Sequence, residues 1–561
     1  MQTSMMKPIG YLFFRWRSVV ALLVGILVAT LMLFAVQSER SHAQTTGPTA
    51  LSVAAGYQHS LAVGNSPYHG SGVVWAWGDN TNGQIGNGNG NNYDTGQPVK
   101  APVLVHGSGD VGYLSGVTKV AAGFEHSLAL KSDGTVWAWG DNYWGQLGCH
   151  SNSDHYTPVQ VHGPGNVGYL TDVVDIAAGY HHSLAVTKDG SVYAWGGGFQ
   201  GQLGLHSNND HTIPYQVHGL GNVGYLTGIE HVAAGQLFSL AVDNDGHVYA
   251  WGEGSQGQLG INSHNDHTVP YQVHGPGNVD YLTDVTQVAA GRWHSLALKS
   301  DGTVWAWGDN TDGQLGQGPY ESEAITPALV SPNTGLYYGN VVTKVAAGYY
   351  HSLAIRDDGS AWAWGENVYG ALGNGHGGDS TYDRSEPTRV TTGTGLTGVV
   401  DVAGGEHHSL AVKSDGTVWA WGFNEIGQLG TNSTNDHYAP VQVSPLPGAT
   451  QEEDGPLVTH VVPPDGATNV PRGRPVSATF SEKMDEASIE RPGTFTLEKE
   501  ATATPVAAKV KYNAATDKAT LRPEKPLEKG TAYTAAVSTQ AKDLQGNALE
   551  ETVIWSFKVK G

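Results

Sequence analysis

Val120-Ala121-Ala122-Gly123-Phe124-Glu125-His126-Ser127-Leu128-Ala129-Leu130 is one of seven copies of a single phrase in this chain. The glycine of each copy sits at Gly56, Gly123, Gly179, Gly235, Gly291, Gly348 and Gly405, in steps of 67, 56, 56, 56, 57 and 57 residues. A fixed period of this size specifies a repeat architecture. The phrase is followed by Ser132-Asp133-Gly134, then by Thr135-Val136-Trp137-Ala138-Trp139, and later by Pro158-Val159-Gln160-Val161. An Asp-Gly pair between two β-rich runs marks a hairpin, because glycine accepts the positive φ of a tight turn. The pair recurs at Asp189, Asp245, Asp301, Asp358 and Asp415. Four short strands per repeat make one propeller blade, and seven blades close a ring that hides the sheet edges. The expected fold class is therefore all-β, a seven-bladed β-propeller. The 11 extra residues of the first step are expected in loops at 64–72 and 87–97.

The motifs AAGxxHSLAL, DGxVWAWG and NxxGQLG resemble the repeat of the regulator-of-chromosome-condensation family, from Leu51 to Val443. The resemblance implies the propeller fold and leaves function open. The family includes a nuclear nucleotide-exchange factor, parts of ubiquitin ligases, a plant UV-B photoreceptor and a secreted bacterial inhibitor of β-lactamases, and one fold commonly carries many functions.

The ends carry different signals. Arg15 and Arg17 precede an apolar run from Val19 to Val36, and Ser41-His42-Ala43 offers the small residues of a cleavage site. Residues 1–43 read as a secretory signal peptide, with a retained membrane anchor as the alternative. The propeller is expected over 44–450 and a linker over 451–460. Residues 461–561 resemble a bacterial Ig-like domain of the surface-layer protein type. The resemblance rests on Pro464-Asp465-Gly466-Ala467-Thr468-Asn469-Val470-Pro471, Asp543-Leu544-Gln545-Gly546-Asn547 and Trp555-Ser556-Phe557. A stretch of that length suits a β-sandwich. Cys149 is the sole cysteine, so no intrachain disulfide forms, and its thiol is expected to pack as a small apolar group.

Charge is uneven. Residues 44–450 hold 11 Lys and Arg against 34 Asp and Glu, whereas residues 461–561 hold 14 against 13. A propeller this acidic repels phosphate backbones, which argues against nucleic acid as a partner. Export, as read from the leader, argues against the nuclear exchange-factor role. The expected location is secreted or associated with a bacterial cell envelope, with any membrane contact only through an uncleaved N-terminal segment, and the chain is expected to be a monomer.

Six His-Ser pairs (His59, His126, His182, His294, His351 and His408) invite a nucleophile-and-base reading, but adjacent strand residues point to opposite faces. Repeat four carries Phe238 instead. A structural hydrogen-bonding role is expected for a residue repeated six times. Asp154-His155, Asp210-His211, Asp266-His267 and Asp436-His437 have metal-ligand chemistry, yet equivalent positions stand apart in different blades, so Asp capping of loops is expected and no metal or cofactor is assigned. The second tryptophans of the WAWG-like runs, one per blade, are expected between blades. Gly291-Arg292-Trp293-His294 resembles the photoreceptor's light-sensing motif with Arg and Trp transposed, and a single occurrence does not make a photosensor.

Strand direction places the variable pair after each glycine and the NxxGQLG loop on one face, and the Asp-Gly turns and VHGPGNVGYL-like connectors on the other. The first face is aromatic: Tyr57, Phe124, Tyr180, Trp293, Tyr349 and Tyr350, with Leu237, follow the glycines, and Tyr143, Trp144, Phe199 and Tyr369 come from the second loop. Exposed aromatics on rigid loops suit binding hot spots. These 11 residues are the candidate site, for a protein or glycan ligand outside the cell or at its surface. The competing reading of the rings is that they cap the blades. Alternatives at the level of function are an extracellular lyase or hydrolase and an exchange-type regulator, and no unique acid/base pair supports the first.

Overall fold

A computed structural model describes residues 49–561 apart from 90–97, 319–321, 333, 392–395, 448–455, 482, 515, 545–547 and 550–551. The leader read as a signal segment lies outside the described residues. Among the described residues, seven four-stranded antiparallel sheets each take four consecutive strands. They occupy 49–104, 117–160, 173–216, 229–272, 285–329, 342–389 and 399–442, and are called blades one to seven. In blade two the strands are Val117–Ala122, His126–Lys131, Val136–Gly140 and His155–Gln160. The hairpin between the middle strands turns at Gly134, with φ +79°, while Asp133 Oδ1 accepts from Thr135 N at 3.0 Å. The first of the two expected loop insertions is instead a longer hairpin: strands His59–Ser66 and Gly70–Gly78 extend together, so the added backbone is paired rather than left in a loop. Most of the second lies outside the described residues.

The first strand of every blade faces the axis. Small side chains there, Ala54, Ala121, Ala177, Ala233, Ala289 and Ala346 among them, leave a central channel of about 290 Å³. At the beginning of these strands, on the side of the Asp-Gly turns, a polar belt takes one residue per blade: Ser52, Lys119, Asp175, His231, Gln287, Lys344 and Asp401. Asp175 is paired with Lys119 and, at 3.4 Å, with His231; Asp401 is paired with Lys344 and accepts from Ser52 Oγ at 2.5 Å. Burial of these two carboxylates is thus offset by charge and hydrogen bonding on both flanks.

The blades are joined by one repeated seam. The carbonyl of Gln84 in blade one accepts from Ser127 Oγ at 2.9 Å and from Trp139 Nε1 at 2.9 Å in blade two. His59 Nε2 lies 3.0 Å from the same Ser127 Oγ. Because the hydroxyl hydrogen is committed to the carbonyl, the histidine must donate through Nε2. Equivalent pairs are His126–Ser183, His182–Ser239, His294–Ser352, His351–Ser409 and His408–Ser60, at 2.8–3.1 Å. The His-Ser motif is therefore structural, and its partners come from neighbouring blades. At the blade four–five seam, Phe238 fills the imidazole's place and Ser295 keeps only its bond to Gln258 O, at 2.8 Å. The seven WAWG-type indoles are fully buried between blades. A Cβ at Gly123 would stand 2.3 Å from His126 Cε1 and 2.5 Å from Gly179 O, which explains a glycine in all seven copies.

Ser60 and Trp77 of blade one both donate to Gln428 O of blade seven, at 2.8 and 2.9 Å, and Ala50 N donates to Gly416 O at 3.0 Å. Among the described residues, the ring closes by the ordinary seam, with the four strands of blade one and the four of blade seven each taken from one consecutive stretch. The second domain is a sandwich of a four-stranded and a five-stranded sheet around Trp555, Tyr533, Phe557 and Phe480. Its first strand, Val458–Val462, begins inside the stretch expected as linker. The fold is all-β, a seven-bladed propeller followed by an Ig-like sandwich.

Candidate functional site

The face reached by the glycine-adjacent pairs is built on short loops with internal brackets. In blade two, Asp141 Oδ1 accepts from Tyr143 N at 3.1 Å, and Gln146 Oε1 accepts from Trp144 N at 3.0 Å. Asn142 Oδ1 accepts from Leu147 N at 3.0 Å, and Asp154 Oδ1 accepts from Asn142 N at 2.9 Å. The same cap recurs from Asp210 to Gly198 N, from Asp266 to Gly254 N and from Asp436 to Asn424 N. These aspartates hold loops, as expected from the sequence. Asn142 Nδ2 also donates to Cys149 Sγ at 3.6 Å, and burial pushes that thiol's pKa up, so Cys149 serves as packing.

The aromatic residues separate into two tiers. Where the first residue after the glycine is aromatic, at Tyr57, Phe124, Tyr180 and Tyr349, its ring points inward over the channel mouth. Phe124 stacks on Tyr180 with centroids 3.8 Å apart, Tyr57 lies 4.2 Å from Phe124, and Tyr349 lies 5.4 Å from Tyr57 across the ring. Tyr349 sits in blade six and Tyr57 in blade one, so these rings converge and close on one another. Burial, then the carboxylate of Glu406, raises the Tyr57 phenol above its ordinary value, and burial does the same for Tyr349. The inner four rings therefore cap the channel; they do not form an exposed ring.

The second tier stands outward in two patches. Over blades two and three, Tyr143, Trp144, Phe199 and His181 cluster: Trp144 lies 5.4 Å from Phe199 and 5.7 Å from His181. Tyr143 is 70% exposed and Phe199 36%. Burial lowers the His181 pKa to about 4, so this patch carries a neutral imidazole. Over blades five to seven, Arg292 lies 3.9 Å above the Trp293 ring and 5.2 Å from Tyr350, and Tyr350 stacks on His407 at 5.3 Å. Tyr369 packs 4.7 Å from His407 and 4.9 Å from Phe423. Burial disfavours charge on His407, but hydrogen bonds to Glu366, at 2.6 Å, and Glu406 outweigh it and raise its pKa to about 9. Leu237, in blade four, is half-buried.

The profile of the RCC1-like domain matches residues 35–273 and 222–462. The chain belongs to the RCC1-like domain family. Residues 452–559 match the bacterial Ig-like domain. The RCC1-like propeller is similar to the ultraviolet-B receptor UVR8 of Arabidopsis thaliana, 30% identical over 399 residues that cover 71% of this chain and 82% of that protein. It is also similar to the human E3 ubiquitin-protein ligase HERC2, 32% identical over 68% of this chain but only 7% of HERC2. Among solved structures, yeast RCC1 (Prp20) in complex with Kap60 shares 25% identity with a TM-score of 0.54, covering 69% of this chain and 86% of that one. Human WBSCR16 shares 29% with a TM-score of 0.53, covering 65% and 87%.

Sequence reasoning treated the two residues after each glycine as one aromatic set, whereas the structure gathers the aromatic first residues, Tyr57, Phe124, Tyr180 and Tyr349, over the channel and leaves the aromatic second residues in the outer patches. It also missed His181, His407, Arg292, Glu366, Glu406 and Phe423. A signal existed for the two histidines: only Tyr180-His181-His182 and Glu406-His407-His408 double the motif histidine, putting an extra imidazole at the outward position.

Proposed function

We propose that this chain is an exported, non-catalytic binding protein whose propeller contacts a protein or glycan through the outer aromatic patches, with the Ig-like sandwich as a spacer in the bacterial envelope. The observation that carries the reading is Tyr143 and Trp144, held outward on a loop whose backbone amides are fixed by Asp141 and Gln146. Rigid Tyr and Trp side chains lose little entropy on binding and dominate hot spots. Proteins of similar fold engage other proteins: yeast RCC1 is bound to Kap60 in one structure, and the binding of Prp20p to Gsp1p and histones is the subject of another. In this reading the segment 1–43 directs export, residues 44–450 form the binding propeller and 461–561 the spacer. The propeller's acidity and the match to a bacterial Ig-like domain support an envelope role over a nuclear one.

The test is capture from an envelope and extracellular extract by residues 44–561, against a variant with alanine at Tyr143, Trp144, Trp293 and Tyr350. A ligand held by the native chain and released by the variant supports the assignment. Equal retention by both removes the aromatic face from the proposal.

A further inference from the structure

The most exposed of the propeller's large aliphatic side chains, Val167, Val223 and Val279, are on the side opposite the aromatic face. Four successive blades leave through the same connector: 105–114, 161–170, 217–226 and 273–282. All four adopt one conformation, with the histidine Nδ1 2.5–2.6 Å from Asp110, Asn166, Asn222 or Asn278 and a bridge from that histidine to Tyr113, Tyr169, Tyr225 or Tyr281. Their surroundings differ. In the first connector, Val111 packs against the hydrophobic core of the Ig-like sandwich. Gly112 lies beneath Val458 and Thr459: a Cβ there would be 3.1 Å from Thr459 Cα and 3.3 Å from Val458 O. In the other three connectors the equivalent valines, Val167, Val223 and Val279, are 79%, 78% and 66% exposed.

We infer that the second and third connectors are docking sites for an Ig-like β-sandwich supplied by another chain, in the manner that this chain's own sandwich fills the first. Three observations choose that occupant. The same backbone with the same Val-Gly-Tyr sequence already holds such a domain at residues 111–113. The residue that lets the sandwich approach is glycine again, at Gly168 and Gly224, with φ +63° and +64° against +63° at Gly112 and no atom within 4 Å of the missing Cβ. The propeller's charge, 11 cationic against 34 anionic residues over 44–450, disfavours a second propeller on this face and accepts a near-neutral sandwich such as 461–561, with 14 against 13. The fourth connector is excluded by the same logic: Asp280, at φ +53°, replaces the glycine and puts a side chain where Thr459 would press.

Asp280 also supplies the tool for the test, because it shows that this connector accepts Asp at that backbone angle. In the full chain, Gly112→Asp displaces the sandwich from the first connector. The freed sandwich then settles on the second or third connector of a neighbouring chain. Hydrogen exchange at 167–169 and 223–225 slows by about tenfold relative to the native chain, and exchange at 279–281 does not change. Settling on a neighbour also gives concentration-dependent oligomers in sedimentation. Adding Gly168→Asp and Gly224→Asp reverses both effects. Unchanged exchange at the second and third connectors in a monomeric, folded Gly112→Asp chain overturns the proposal, as does equal slowing at the fourth.

Discussion

His407 and His408 are neighbours in the chain and behave as opposites. His408 lies in the seam between blades seven and one, fully buried, with Nε2 on Ser60 and no partner at Nδ1; burial lowers its pKa to about 3. His407 stands on the face between Glu366 and Glu406, which raise its pKa to about 9. One residue of displacement moves an imidazole from a site that excludes charge to one that requires it. The repeat therefore has two chemistries, an inter-blade framework that must stay neutral and a face whose charges are set blade by blade.

Acid gives the largest contrast. The seam histidines His59, His182, His294, His351 and His408 are held at about 3, and His126 is also lowered, by burial. An unfolded histidine takes up its proton near 6.5. Below that pH the unfolded state binds protons that the seam refuses, so stability falls by about 1.4 kcal/mol per pH unit for each histidine. Six together remove about 8 kcal/mol per unit, as large as the whole stability of many domains. The propeller is expected to unfold cooperatively above about pH 4, by circular dichroism during acid titration. A native signal persisting at pH 3 would mean the seam tolerates charge.

The glycine beneath the two tiers comes next. Gly123→Ala forces a methyl against His126 and Gly179 O, and overpacking of that kind costs about 3 kcal/mol, measured by denaturant unfolding at neutral pH. The histidine itself matters less there. His126→Phe copies the native blade four–five seam, where Phe238 leaves Ser295 bonded to a carbonyl alone, and is expected to cost about 1 kcal/mol at pH 7. Its acid midpoint should move downward, because one proton-refusing site is gone.

At the face the sign reverses. His407 has a folded pKa above its unfolded value, so its contribution is complete below about pH 6.5 and is lost as pH rises through 9. Glu366→Gln removes its 2.6 Å partner, and the variant should lose about 1 kcal/mol at pH 6 and match the native chain at pH 10. Equal deficits at both pH values would show that the glutamate acts by packing.

Much of this was legible in the sequence. The period, the Asp-Gly turns and the fixed glycines gave the blades and their number, and the repetition of His-Ser pointed to framework rather than catalysis. What could not be read was which ring meets which. Tyr57 and Tyr349 are 292 positions apart and touch only because both rings lean over the axis, a tilt that alternation along a strand does not encode. The doubled histidines were visible, but their opposite charge states depend on Glu366, which arrives from the preceding blade.

The smallest effect divides the two aromatic tiers. Phe124 touches Tyr57 and Tyr180 over the channel mouth, whereas Tyr143 is mostly in solvent with one edge contact to Trp144, at 5.0 Å. Phe124→Ala opens a stacked cluster and should cost about 2 kcal/mol in thermal unfolding. Tyr143→Ala removes little buried area and should stay within about 0.5 kcal/mol of the native chain. If the outer tier binds, the same Tyr143→Ala weakens capture of the ligand by about tenfold or more, an effect that its stability cannot account for. A Tyr143→Ala chain as unstable as Phe124→Ala would place the outer ring in the framework with the inner one, and the division between seam and face would then fall further out along the loop.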